Sequence, residues 1–196
     1  MKDMNLNYKD LLKISNLISI LRILLVFPTA YYLSQINNDN SYRVIVILFF
    51  TGAYITDLLD GFLARKLNQI TEFGKIIDPL ADKIFVTMIV LQLFWMEEIP
   101  AFYFWIIILR DVIIFVGGIF VSKIIGKVLP SNLLGKITVA SIAAFLLSVV
   151  GGAQNGIPWL YNGFLYLSIF LSFASVIGYG VRGYENIKWV KENKNV

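Results

Sequence analysis

Long apolar runs recur along the whole length of this chain. Six of them can be drawn at the ~20 residues a helix needs to cross a hydrocarbon core of ~30 Å. They extend from Ile14 to Leu33, Tyr42 to Leu63, Ile76 to Met96, Ala101 to Val121, Leu133 to Val150 and Trp159 to Val181. Because the apolar excess is spread over several stretches, it is not a single anchor attached to a soluble domain. The pattern predicts an all-α polytopic membrane protein of six transmembrane helices, with residues 1–196 forming one domain and no repeat or linker.

The polar breaks alternate in charge. The connections SQINNDNS, EEIP and GGAQNGI contain no Lys or Arg, although Arg43 sits just inside the second stretch. The other ends are basic: Lys2, Lys9 and Lys13 come before the first stretch, and Arg65, Lys66 and Lys75 follow the second. Lys123, Lys127 and Lys136 lie between the fourth and fifth, and Arg182, Lys188, Lys191 and Lys194 follow the sixth. Positive charge stays on the cytoplasmic side, so both termini are expected there. The segment Leu6 to Leu12 reads either as a short amphipathic helix on the membrane surface or as a plain flank. MKDMNLNYKDLLK has two acidic residues and no small-residue cleavage site, so no removable signal peptide is expected.

Composition agrees with the pattern and narrows the chemistry. The 196 residues are 58% hydrophobic and only 15% charged, with a mean hydropathy of +0.72, whereas about a quarter of a soluble domain is charged. The balance of 17 Lys+Arg against 13 Asp+Glu gives +4; in a membrane protein the placement of those charges matters more than their sum, and a nucleic-acid partner gains no support from it. The absence of cysteine excludes a disulfide, a thiolate metal site and a thiol nucleophile, and the absence of histidine removes imidazole as base or ligand. Carboxylates must carry any acid–base or metal chemistry.

Four aspartates break the apolar pattern together. Asp57 and Asp60 lie towards the end of the second stretch, and Asp78 and Asp82 at the start of the third. An ionisable group within a span costs at least ~2.5–3.5 kcal/mol on insertion scales, so each needs a partner or a task. Spacings of i,i+3 and i,i+4 put each pair on one helix face, and the short connection brings the two faces together at one depth. Asp57, Asp60, Gly61 and Ala64 form one stripe of acids and small residues; Gly74, Asp78, Ala81 and Asp82 form another. A ligand can then lie close to the backbone between carboxylates. Four confined carboxylates repel one another unless a cation neutralises them. Oxygen-only ligands favour Mg²⁺ or Mn²⁺, as a pair of ions bridged by shared carboxylates, and such a site handles phosphates. Arg65, one residue past the stripe, is placed for a bidentate phosphate contact.

DLLDGFLAR, from Asp57 to Arg65, and GKIIDPLAD, from Gly74 to Asp82, match the signature of the CDP-alcohol phosphotransferases at every defining position. The chain also resembles that family in length, span number and placement of the site. Members transfer a phosphatidyl or similar group from a CDP-linked donor to an alcohol and release CMP. The resemblance implies that Asp57, Asp60, Asp78 and Asp82 hold two divalent ions and that Asp82 is also the general base for the acceptor hydroxyl. It further implies that Asp60, Gly61, Ala64, Arg65 and Gly74 line the CMP and diphosphate pocket, that the donor is CDP-diacylglycerol, and that the protein is a homodimer.

Weaker signals bear on the acceptor. Asn16, Ser19, Arg22 and Pro28 resemble the Asn…Thr…Arg…Pro pattern of the phosphatidylglycerophosphate synthases, with Ser in place of Thr. Gly135-Lys136-x-Thr138 resembles their Gly-Lys-x-Lys-Thr segment without its second Lys, and also reads as a plain lysine anchor at the start of a span. Arg110-Asp111 stands where those synthases carry Arg-Glu and the cardiolipin synthases carry Arg-Asp; a buried ion pair holding helices together is the alternative. If Arg22, Arg110, Lys136 and Arg182 face the cluster, they suit an acceptor with its own phosphate. Glycerol 3-phosphate is the first choice. Phosphatidylglycerol, giving cardiolipin, is second, and serine or an inositol phosphate remains open. An ion or proton transporter is the reading from another class, but it wants its acids near the bilayer midplane on broken or repeated helices, which this chain lacks.

Overall fold

The computed structural model describes residues 13–66, 74–126 and 132–193. The predicted surface helix from Leu6 to Leu12 lies outside the described residues. All the regular structure described is helical: α1 (Ile14–Ser34), α2 (Ser41–Lys66), α3 (Gly74–Trp95), α4 (Ala101–Ile125), α5 (Leu133–Val150), α6 (Ala153–Gly156) and α7 (Pro158–Asn193). Six long helices coincide with the six apolar stretches. Within the described residues, four stretches are long and apolar enough to cross a membrane: Asn16–Ser34, Ala101–Ile125, Leu133–Val150 and Pro158–Val190. Their outward faces carry large apolar side chains, such as Phe102, Trp105, Phe115 and Phe120 on α4, which suit lipid better than water. This is an integral membrane protein.

Two differences from the apolar pattern have local causes. The polar break after α5 contains one helical turn, α6, entered through Gly152 at φ +75°, a left-handed conformation that glycine adopts without steric cost. Helix α7 continues twelve residues past Val181 to Asn193, because YENIKWVKEN contains no breaker and Lys188 and Glu192 pair at i,i+4, 3.9 Å apart. At the other junctions, Asp39 accepts from the Ser41 backbone N–H at 2.8 Å and so tethers the start of α2. That bond holds its carboxyl below the usual range. Gly126 closes α4 at φ +74°, its N–H reaching the Ser122 carbonyl at 2.9 Å.

The chain divides into two compact units, residues 1–96 and 97–196. In the first, α1 packs on both α2 and α3. The short connection after α1 returns the chain antiparallel, so that Tyr32 meets Tyr42 and Phe49 of α2. Helix α3 runs parallel to α1: Arg22 meets Asp82, and further along both helices the Gln92 amide donates to the Ala30 carbonyl at 2.7 Å. Leu33, Val46, Phe50, Ala53, Phe85, Ile89 and Leu93 fill the interior. In lipid the apolar surface itself gives little drive for helix association, so close packing and interhelical hydrogen bonds of this kind carry it.

In the second unit α7 is the central helix and packs on α4 and α5. The Tyr103 hydroxyl lies 3.0 Å from that of Ser168, and Arg110 Nε donates to Ser175 Oγ at 3.2 Å. Both pairs are 65 residues apart, which makes α4 and α7 parallel and in one register. Helix α5 runs the other way: Thr138 Oγ1 donates to the Leu171 carbonyl at 3.1 Å, while Phe145 packs against Tyr161, 5.2 Å between ring centroids.

Candidate active site

The inward side of α1 is polar where an apolar helix would be expected to bury leucines. Asn16, Ser19 and Arg22, spaced by three residues, are 0%, 0% and 2% exposed. Arg22 Nη1 donates to Oδ1 of Asp82 near the start of α3. The Asp82 side chain is 44% exposed, so the pair has one buried partner and one that opens to its surroundings. A guanidinium taken out of water needs such an anion, and α1 supplies its polar neighbours.

The remaining acids are placed by helix register. Phe50 of α2 and Phe85 of α3 meet edge to face with centroids 5.9 Å apart, and the two helices are antiparallel because α1 is antiparallel to one and parallel to the other. Asp57 lies seven residues beyond Phe50, and Asp78 seven residues before Phe85. At 1.5 Å per residue both stand about 10 Å from the aromatic contact in the same direction, with Asp82 about 4.5 Å and Asp60 about 15 Å from it. The four carboxylate positions thus occupy an axial band of about 10 Å. Offsets of seven also keep Asp57 on the Phe50 face and Asp78 on the Phe85 face. The side chains of Asp57, Asp60, Gly61, Ala64, Arg65, Gly74 and Asp78 lie outside the described residues, and the backbone of α2 and α3 fixes only their positions along the helices. The donor set of the band is all oxygen, which fits hard divalent ions such as Mg²⁺ or Mn²⁺. Among the described side chains no group of three possible metal ligands converges, Asp82 being the one of the four that is described.

The second unit treats its cations differently. Arg110 is 9% exposed. Its Nη1 donates to Asp111 Oδ1 at 2.6 Å, and its Nε to Ser175 at 3.2 Å. Arg110 and Asp111 are neighbours on one helix, so their ion pair does not tie helices together; the Ser175 bond does. Arg182 lies two turns beyond Ser175 on α7, partly buried, and its carbonyl accepts from Asn186. Lys136 is exposed on the first turn of α5. Of the four predicted acceptor cations, Arg22 is brought to a predicted catalytic carboxylate, Arg110 is fixed within its unit, Arg182 is partly buried further along α7, and Lys136 stands at the surface.

Residues 12–174 match the family model for CDP-alcohol phosphatidyltransferase. The chain belongs to that family. It is 34% identical over 184 residues to the CDP-diacylglycerol--glycerol-3-phosphate 3-phosphatidyltransferase of Aquifex aeolicus, an alignment that covers 90% of this chain and 98% of the relative. Proteins of the same name from Rickettsia typhi and Bacillus subtilis are 35% identical over 150 residues and 32% identical over 145. The first of these alignments covers 74% of this chain and 80% of the relative, the second 72% and 74%. This phosphatidyltransferase therefore carries the family signature on α2 and α3, with the α1 arginine bonded to its last aspartate.

Two sets of buried polar residues acquire their setting in the folded chain. Asn16 and Ser19 join Arg22 in the buried side of α1; their spacing of three within an apolar span is the signal that sequence offers. Ser168, Ser172 and Ser175 form an i, i+4, i+7 stripe on α7, all at most 1% exposed. A serine in an apolar helix can satisfy itself on its own backbone, so sequence offers little reason to look for a partner across the interface.

Proposed function

We propose that this phosphatidyltransferase transfers the phosphatidyl group of CDP-diacylglycerol to glycerol 3-phosphate, giving phosphatidylglycerophosphate and CMP in phospholipid biosynthesis. The observation that carries the reading is the near full-length likeness to relatives named for that reaction, over a chain in which all four signature aspartates are present.

In this reading Asp57, Asp60, Asp78 and Asp82 hold two divalent ions, Mg²⁺ or Mn²⁺. When bound, such ions offset the charge of the diphosphate and of departing CMP. Asp60, Gly61, Ala64, Arg65 and Gly74 receive the cytidine diphosphate, the small residues letting it approach the backbone and Arg65 binding phosphate oxygens. Asp82 takes the proton of the acceptor hydroxyl. The freed oxygen attacks the phosphorus attached to diacylglycerol, and the bond from that phosphorus to CMP breaks. The partial exposure of the Asp82 carboxylate leaves room for that hydroxyl. Arg22, Arg110, Lys136 and Arg182 are assigned to the phosphate of the acceptor.

The wider reading is a single domain of six spans with both termini and the site on the cytoplasmic side, an N-terminal amphipathic segment against the lipid surface, and a homodimer. Helices α2 and α3, 26 and 22 residues long, are long enough to cross the hydrocarbon core and are expected to span as the second and third apolar stretches. The alternating basic ends support the orientation.

The test is CMP release by protein in detergent micelles with CDP-diacylglycerol and Mg²⁺ or Mn²⁺, each acceptor supplied in turn. Release with glycerol 3-phosphate alone is expected. Release only with phosphatidylglycerol, serine or an inositol phosphate would keep the chemistry and replace the acceptor.

A further inference from the structure

Arg110 spends two of its three guanidinium nitrogens on its own unit. Nε donates to Ser175 and Nη1 to Asp111, while Nη2 bonds to nothing among the described residues. The Ser175 hydroxyl is itself oriented: it donates to the Ser172 carbonyl at 2.8 Å, which turns its lone pairs towards the arginine. Ser175 is fully buried, whereas the Asp111 side chain is 44% exposed, so the guanidinium is gripped from an interior side and an outer side. A planar fork held at two corners has one direction left for its remaining donors.

We propose that Ser175 is a positioning residue for the transfer reaction: with Asp111 it holds the Arg110 guanidinium in one orientation and leaves the Nη2 edge for the acceptor's phosphate. The proposal rests on the assignment of Arg110 to the acceptor made above. It differs from a packing role because the same helix pair contains a second polar bond with no charge attached. Tyr103 and Ser168 meet two turns away in the same register, at the same separation of 65 residues. Loss of either serine hydroxyl removes a bond between α4 and α7, but only loss of Ser175 frees Arg110.

The experiment measures initial rates for the full chain reconstituted in lipid, varying CDP-diacylglycerol and glycerol 3-phosphate separately. Ser175→Ala and Asp111→Ala are expected to raise the acceptor KM about fivefold or more while leaving the donor KM within about twofold. Ser175→Thr, which keeps the hydroxyl, restores the acceptor KM, and Ser168→Ala leaves both constants at the wild-type values. If Ser175→Ala fails to accumulate, Asp111→Ala tests the same grip from its exposed side. An equal effect of Ser168→Ala and Ser175→Ala, or a parallel rise in donor KM, would reduce Ser175 to helix packing and overturn the proposal. Arg110→Ala separates the positioning role from the assignment beneath it. If it raises the acceptor KM while Ser175→Ala and Asp111→Ala do not, the positioning role falls and the Arg110 assignment stands; if it moves both constants alike or neither, the assignment falls and the positioning role with it.

Discussion

Arg22 and Asp82, 60 residues apart in the chain, are bonded guanidinium to carboxylate, the first buried and the second partly exposed. The pair joins α1 to the carboxylate band of α2 and α3. It also places a fixed positive charge beside the residue proposed to take the acceptor's proton.

Asp82→Asn keeps side-chain size and removes both the basic oxygen and a full negative charge. Transfer is expected to fall below about a tenth of the wild-type rate in a protein that still assembles. Size-exclusion profile and CMP release measured on the same preparation check this, and substantial residual activity would remove Asp82 from the base role.

Arg22→Ala deletes the buried partner of the Asp82 carboxylate. A charge-assisted hydrogen bond to a partly exposed carboxylate is worth about 2 kcal/mol, so thermal unfolding in detergent should shift by that order. Arg22→Lys keeps the charge but not the planar fork, and is expected to recover stability better than activity.

CMP together with Mg²⁺ should protect the chain from thermal unfolding more than either does alone, because both bind the folded site. At a hundred times the dissociation constant the gain is about 2.7 kcal/mol. EDTA should abolish the joint effect. Asp57→Asn and Asp78→Asn, placed at one level by the Phe50–Phe85 register, should each abolish it too.

Gly135→Ala tests the start of α5. A Cβ there would lie 2.9 Å from the Tyr179 hydroxyl and 3.0 Å from Asn132 Oδ1, the atom that caps the Gly135 N–H at 2.7 Å. Displacing the cap costs about 1 kcal/mol, so a modest loss of thermal stability is expected. The neighbouring Lys136 makes this a useful companion to Lys136→Ala, which should alter the acceptor KM with little change in stability.

The helices were legible because their signal is long. Six apolar runs near twenty residues each leave few alternatives, and the ends of α1, α4 and α5 fall close to where the runs end. The extension of α7 was hidden because its last turns are polar, and a polar helix held by pairs such as Lys188 and Glu192 carries no apolar period. The acids were legible for the opposite reason: carboxylates in an apolar span are costly, so their positions stand out. The Arg22–Asp82 contact was not legible, since residue spacing within one helix does not say which residue of another it meets. The Arg110–Ser175 bond was hidden more deeply. Serine is ordinary in such helices, and only the parallel register of α4 on α7 turns Ser175 towards the arginine.

The most direct test of the central claim is mass spectrometry of the lipids formed by reconstituted chain supplied with CDP-diacylglycerol, glycerol 3-phosphate and Mg²⁺, with CMP quantified alongside. The account predicts phosphatidylglycerophosphate in step with CMP, and neither product from Asp82→Asn. CMP without a lipid derived from glycerol 3-phosphate, or no CMP at all, would contradict it.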